Sequence, residues 1–333
     1  MVAGRGGTEE VRLDGQPVKN FDGRPDVTIL VAAVKLFGWG SLAVLLAALL
    51  NNYLTYWAGW PGPLAVFQDS GNGLAAVQFG ILILAGALAT LHVTRNPHRA
   101  LVADSETICG INTFLANAAF WSVVLIGVAD FVLAFMYGEQ IIKSVLGPSL
   151  AKKLANATFR GTFLHFPLIG VGTLIAIFFR ARVLPVLAAL IVSAELVIVL
   201  FRFVFSYEQS YFADLVRFWY VGLFLFGSAY TLHQEAHVRV DVIYAGLSRR
   251  AKGLINAVGT LLLGMPFCWL ILWVGLSQRT GPINSALLSF ENEGTADGLY
   301  ILYLMTVFMG VFAVFMLIEF VGFLFRAVDD ALS

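Results

Sequence analysis

The chain has 333 residues, of which 59% are hydrophobic and 13% charged, and its formal net charge is +0 at pH 7. A soluble globular chain carries about 45–50% apolar and about 25% charged residues, so this composition excludes an ordinary soluble domain and points to an all-α polytopic integral membrane protein. Charge neutrality offers no basic surface for nucleic acid, and the mean hydropathy of +0.82 agrees with a chain made largely of spans.

The first 26 residues, MVAGRGGTEEVRLDGQPVKNFDGRPD, mix both charges with glycine and hold no apolar core segment. They read as a disordered polar tail rather than a cleavable signal peptide. Eight apolar segments then follow at about the 20-residue length a bilayer requires: Val27–Leu50, Leu74–Val93, Phe114–Tyr137, Gly161–Phe179, Val183–Val204, Phe212–Leu232, Leu254–Leu276 and Tyr300–Phe325. An even number places both termini on one side. Tyr53, Tyr56, Trp57 and Trp60 cluster where the first span exits, as an interfacial aromatic belt does. Only Arg180-Ala181-Arg182 parts the fourth and fifth spans, which predicts a tight antiparallel hairpin. On the seventh, Gly259 and Gly264 offer a close-packing face, and Pro266 predicts a kink. Cys109 and Cys268 lie far apart in apolar sequence and read as buried thiols.

Lysine and arginine set the orientation. With the N-terminus inside, thirteen of the 21 fall in inner segments and seven in outer ones, with Lys35 inside the first span. One loop opposes the bias: EQIIKSVLGPSLAKKLANATFR, Glu139–Arg160. Its Ile141, Ile142, Val145, Leu146, Leu150 and Leu154 fit one helical face, broken at Gly147-Pro148. The loop reads as an amphipathic segment lying on the outer surface. The other reading shifts the third span and changes the topology of the first half.

Five ionisable residues fall in or near spans: Lys35, His92, Asp130, Glu195 and Glu319. Charge at membrane depth is costly and marks either function or interhelical pairing. Lys35 and Glu319 lie near enough to span ends to snorkel. Asp130 and Glu195 are deeper, and are candidates both for intramembrane polar contacts and for an ion path. Glu195 precedes Arg202 by two helical turns, as in a structural ladder. His233 and His237 have the spacing with which two ligands meet one ion, but no acidic third ligand is placed beside them. His92 and His165 suit an axial haem pair only if both span boundaries move. The sequence holds no phosphate-binding glycine loop, no serine elbow and no carboxylate pair with a pocket, so nothing argues for an enzyme, a metal or a bound cofactor.

The run AYTLHQEAHVRVDVIY, Ala229–Tyr244, places two histidines, a glutamate, an arginine and an aspartate between greasy segments. On its own it reads as the inner end of the sixth span followed by a topology anchor, with Arg239, Arg249, Arg250 and Lys252 holding the loop inside. In the wider frame GSAYTLHQEAHVRVDVIYAGLS, the residues Gly227, Ala229, Tyr230, His237, Val238, Arg239, Val240 and Asp241 resemble the signature of the small permease (Q) subunit of tripartite ATP-independent periplasmic (TRAP) transporters. FRFVF, with Arg202, resembles the end of that family's first span. GTLLLGMPFCWLILW resembles its third span, and ENEGTADGLYILYLM the acidic lead-in to its fourth. The acidic-Leu pair that opens the family's second span stands here as Asp214-Leu215. The resemblance covers about Val183 to Phe325; the preceding four spans depart from an ordinary Q subunit, resemble the N-terminal extensions of some enlarged ones, and carry no motif that assigns them a role.

The resemblance implies a scaffold subunit that performs no chemistry and holds no cofactor. It implies two partners, a large permease subunit carrying the substrate and sodium sites and a periplasmic substrate-binding protein, with membrane lipid around them. It implies symport of an organic acid or similar solute across the bacterial inner membrane. The expected domains are a polar tail over 1–26, a four-span extension over 27–180, a small-permease-like domain over 183–326 and a short cytoplasmic tail over 327–333. The outer loop with Glu291, Glu293 and Asp297 is the candidate docking rim for the binding protein. The rivals are a self-contained eight-span transporter with Asp130 and Glu195 as an ion relay, and a haem-bearing electron-transfer subunit.

Overall fold

The computed structural model describes residues 25–68, 72–208, 210–233, 244–291 and 298–333. All regular structure among them is helical: α1 (Pro25–Tyr56), α2 (Gly73–Arg95), α3 (Leu101–Gly138), α4 (Ile142–Leu146), α5 (Pro148–Leu154), α6 (Ala157–Phe178), α7 (Val183–Phe205), α8 (Ser210–His233), α9 (Arg249–Leu276), α10 (Pro282–Ser289) and α11 (Leu302–Leu332). Eight of these helices are long and apolar enough to cross a membrane among the described residues. The expected all-α polytopic class is what the chain adopts.

Local chemistry sets the helix starts. The Asn72 side chain accepts from Ala75 N–H at 3.2 Å to begin α2. Asn156 accepts from Phe159 N–H at 2.9 Å to begin α6, and Ser248 accepts from Ala251 N–H at 3.3 Å to begin α9. Each cap satisfies a donor that the first turn leaves free. Two helices widen into a π stretch: Gly161–His165 in α6 and Thr260–Gly264 in α9. Both lie just ahead of a proline, Pro167 and Pro266. Proline has no N–H for the carbonyl four residues back. Instead Phe166 N–H reaches Gly161 O and Met265 N–H reaches Thr260 O, one residue further. The kink expected at Pro266 therefore takes the form of a π turn before it.

The described residues fall into two compact units. The first takes Met1–Cys109, Val238–Met265 and Phe320–Ser333. In it α1 packs along α2, and the Gln78 side chain receives Gly62 N–H at 2.9 Å and donates to Thr55 at 2.9 Å. Small residues let its helices meet. A Cβ on Gly253 would lie 2.5 Å from Ala331 N and 2.6 Å from Ala327 O, and one on Gly264 would lie 2.8 Å from the Phe320 ring. Gly259, expected to share that face, has nothing within 4 Å. Helix α11 runs on through the stretch expected as a terminal tail, to Leu332.

The second unit takes Gly110–His237 and Pro266–Glu319. Its core is aromatic: Phe226 meets Phe308 and Phe315 at 5.1 and 5.7 Å between ring centroids, and Phe218 stacks on Phe308 at 5.2 Å. The short link after α6 does not make α6 and α7 each other's main partners. Helix α6 lies on α3, where a Cβ on Gly172 would be 2.6 Å from Ser122 N, and α7 lies along α8. Asn117 and Trp121 of α3 tie the link down, through Ala181 N–H to Asn117 at 2.8 Å and Trp121 Nε1–H to Phe179 O at 3.2 Å. The amphipathic loop forms α4 and α5, broken at Gly147, whose φ of 79° suits glycine. Its apolar residues divide. Ile142 and Leu154 are buried with Leu133, whereas Ile141, Val145, Leu146 and Leu150 are exposed.

Candidate functional site

A buried charged cluster lies among the described residues of the second unit. The C-terminal part of α3 supplies Asp130, Arg160 and His165 come from the first half of α6, Tyr303 from the start of α11 and Tyr300 from the segment just before it. Asp130, Arg160 and His165 are each 0% exposed. His165 Nε2 lies 2.9 Å from Asp130 Oδ1, and its Nδ1 lies 2.8 Å from the Tyr303 hydroxyl. The neutral imidazole protonated on Nε2 satisfies both contacts, with Tyr303 O–H donating to Nδ1. Asp130 Oδ2 accepts the backbone N–H of Tyr300 at 2.8 Å.

Arg160 completes the cluster. Its Nε donates to Leu154 O at 2.9 Å, and one terminal nitrogen lies 3.7 Å from Asp130 Oδ1. That separation is an ion pair without a hydrogen bond, and both terminal nitrogens are buried without a hydrogen-bond partner. The guanidinium instead lies 3.9 Å from the Tyr300 ring centroid and 5.7 Å from that of Tyr137. Aromatic faces are a suitable bed for a weakly hydrated planar cation. The Tyr300 hydroxyl donates to Ala155 O at 3.0 Å, and that of Tyr137 to Ala151 O at 2.5 Å. Both oxygens of Asp130 and both nitrogens of His165 are engaged by protein groups. The arrangement ties α3, α6 and the start of α11 together.

A second charged cluster lies in the first unit. Asp104 sits 3.1 Å from Arg99 Nε and 3.8 Å from Lys35 Nζ, and Lys35 donates to Arg99 O. Lys35 is 2% exposed, so it does not snorkel. Trp39 and His92 meet with ring centroids 4.6 Å apart. Nearby, Arg326 donates to Ser105 Oγ at 3.2 Å, and Ser105 donates to Gly322 O at 2.8 Å. Glu319, in the second unit, does not snorkel either: it is 2% exposed and accepts from Asn112 at 3.1 Å.

The remaining sequence candidates are dispersed. Arg202 pairs with Glu208 at 3.6 Å rather than with Glu195. Asp214 lies 3.7 Å from Arg217 and lines a small hollow with Leu299, Ile301, Leu302 and Met305. Glu195 is exposed at the middle of α7. At the end of α8 Ala229 is buried and Tyr230 exposed, and a Cβ on Gly227 would lie 2.5 Å from a Leu184 methyl. His237, Arg239 and Asp241 lie outside the described residues, as do Glu293 and Asp297. Glu291 is exposed, with its carbonyl accepting Tyr303 N–H at 3.0 Å. Beyond α7, Tyr207 donates to Glu139 at 2.5 Å and contacts the Tyr211 hydroxyl at 2.6 Å. Burial first, then the bond to Glu139, pushes the Tyr207 phenol above its ordinary range.

The sequence reading took Arg160 for a loop cation and weighed His165 only as a haem ligand. The signal that finds the cluster is complementarity: a lone deep acid, Asp130, and a cation and an imidazole five residues apart at the start of the next span.

Residues 189–328 match the family model of the DctQ component of tripartite ATP-independent periplasmic transporters. No curated protein and no solved structure matches the chain.

Proposed function

With residues 189–328 a DctQ-component domain, we propose that the chain is the small membrane subunit of a TRAP-type secondary transporter, with an N-terminal apolar helical extension before that domain. The family match carries this reading. The role is that of a scaffold for a large permease subunit, which holds the substrate and sodium sites, and of a platform that helps dock a periplasmic substrate-binding protein. The solute is an organic acid or a chemically similar compound. The chain lies in the bacterial inner membrane with both termini cytoplasmic, as the distribution of lysine and arginine favours. Arg239 and Asp241 then anchor the loop after α8 at the inner surface, and Glu291, Glu293 and Asp297 form an acidic rim outside.

The polar groups support a scaffold. A carrier places exchangeable groups along a path. Here Asp130 is saturated by three neighbours, and Glu195 shares no contact with it. The test is uptake in cells or vesicles. Deleting the chain is expected to abolish uptake while the binding protein still binds solute, and the purified chain alone in liposomes is expected to transport nothing. Reversing Glu291 and Glu293 is expected to raise the binding-protein concentration needed for half-maximal uptake, less so at high salt. Uptake that survives deletion, or uptake by the chain alone, would refute the assignment and favour the self-contained transporter.

A further inference from the structure

Helix α7 is the least covered span. Of its most apolar 18-residue window only 6% is buried, against 50% for α8 and 61% for α11, and Leu187 is its one buried residue. Glu195 stands near its middle, about 18 Å from one end and about 15 Å from the other at 1.5 Å per residue. The carboxylate is exposed and has no hydrogen bond or ion pair among the described residues. Val192, Leu196 and Val199, its neighbours along the helix, are exposed too. The nearest cation in sequence on α7, Arg202, pairs with Glu208.

A carboxylate facing hydrocarbon at mid-depth is costly, and residues of this kind face protein or water in assembled membrane proteins. The described residues do not cover it, which leaves the face open to another chain. We propose that the Val192–Val199 stretch of α7 is the seat of a transmembrane helix of the large permease subunit, and that this helix presents a lysine or arginine to Glu195 at mid-depth. A second copy of this chain does not fit. Copies inserted in the same orientation about a two-fold axis would bring Glu195 to the depth of its own counterpart, and like charges would meet. The inference rests on the subunit reading and adds to it the helix, the depth and the charge of the contact.

The test co-expresses the full chain with the large permease subunit and measures the permease recovered by affinity purification in mild detergent. Glu195→Lys and Glu195→Leu are expected to lower recovery by at least about tenfold, the order seen when one partner of a buried charge pair is removed. Glu195→Gln should lower it less. The free subunit's melting temperature should be unchanged or raised by Glu195→Leu, which separates lost docking from lost folding. Permease changes that rescue Glu195→Lys should replace a basic residue in a span with an acidic or neutral one. A photo-crosslinker at Val192 or Val199 should join the permease. Full recovery with Glu195→Leu would show that Glu195 faces lipid, and adducts to a second copy would make α7 a homodimer face; either result overturns the proposal. If the wild-type chain recovers no permease, the subunit reading fails and this inference with it.

Discussion

Arg160 shows how one side chain can be both indispensable and replaceable. Alone in the interior its charge would be ruinous, and Asp130 at 3.7 Å makes it tolerable without a hydrogen bond. Removing one member of a buried pair is worse than removing both, because the survivor is left uncompensated. Asp130→Ala is therefore expected to destabilise the protein by about 3–5 kcal/mol. Combining Asp130→Asn with Arg160→Met should cost clearly less than the sum of the single changes. Thermal unfolding in detergent, read with a thiol-reactive dye, checks both, since the Cys109 and Cys268 thiols are buried until the chain opens. Additive losses would mean that the two residues act independently. This part of the interior was half legible. Asp130 announced itself as a deep acid, while Arg160 and His165 sat where loop and span meet, and that both face inward depends on a π turn that hydropathy does not register.

Among the helices, the spans themselves were easy to read and their neighbours were not. Backbone satisfaction forces helices in a bilayer, so long apolar runs announce their form. Lipid, core and partner all accept the same apolar side chains, so α7 and α11 look alike in sequence although their apolar windows are 6% and 61% buried. Glycines carry the same ambiguity. Gly253 approaches backbone atoms of α11, while Gly259 has nothing within 4 Å. Gly253→Ala is expected to cost about 1–3 kcal/mol through overpacking. Gly259→Ala should be neutral or stabilising by up to about 1 kcal/mol, as glycine is a poor helix former. Melting temperatures of the two variants test the contrast, and equal shifts would mean that the Gly253 contact does not form.

For the whole molecule, sequence suggested an extension followed by a small-permease domain, and residues 189–328 carry the family match. The compact units cut across that division, because each takes residues from both stretches. Asp130, Arg160 and His165 precede the matched region, and Tyr300 and Tyr303 lie within it. A chain beginning at Val183 would leave Tyr300 N–H and the Tyr303 hydroxyl without their partners and expose the face that α3 and α6 cover. Such a truncation is expected to lose monodisperse yield in detergent; a stable, monodisperse product would show that the matched region folds unaided. The reach of the Asp130–Tyr300 bond across 170 positions also has a consequence in time. A ribosome working at about 5–20 residues per second needs roughly 10–30 s to pass from one to the other. Throughout that interval the acid is already in the nascent chain, and for most of it Arg160 and His165, made soon after, are its companions. The early pair is thus expected to host the charge until the last span arrives to lock it.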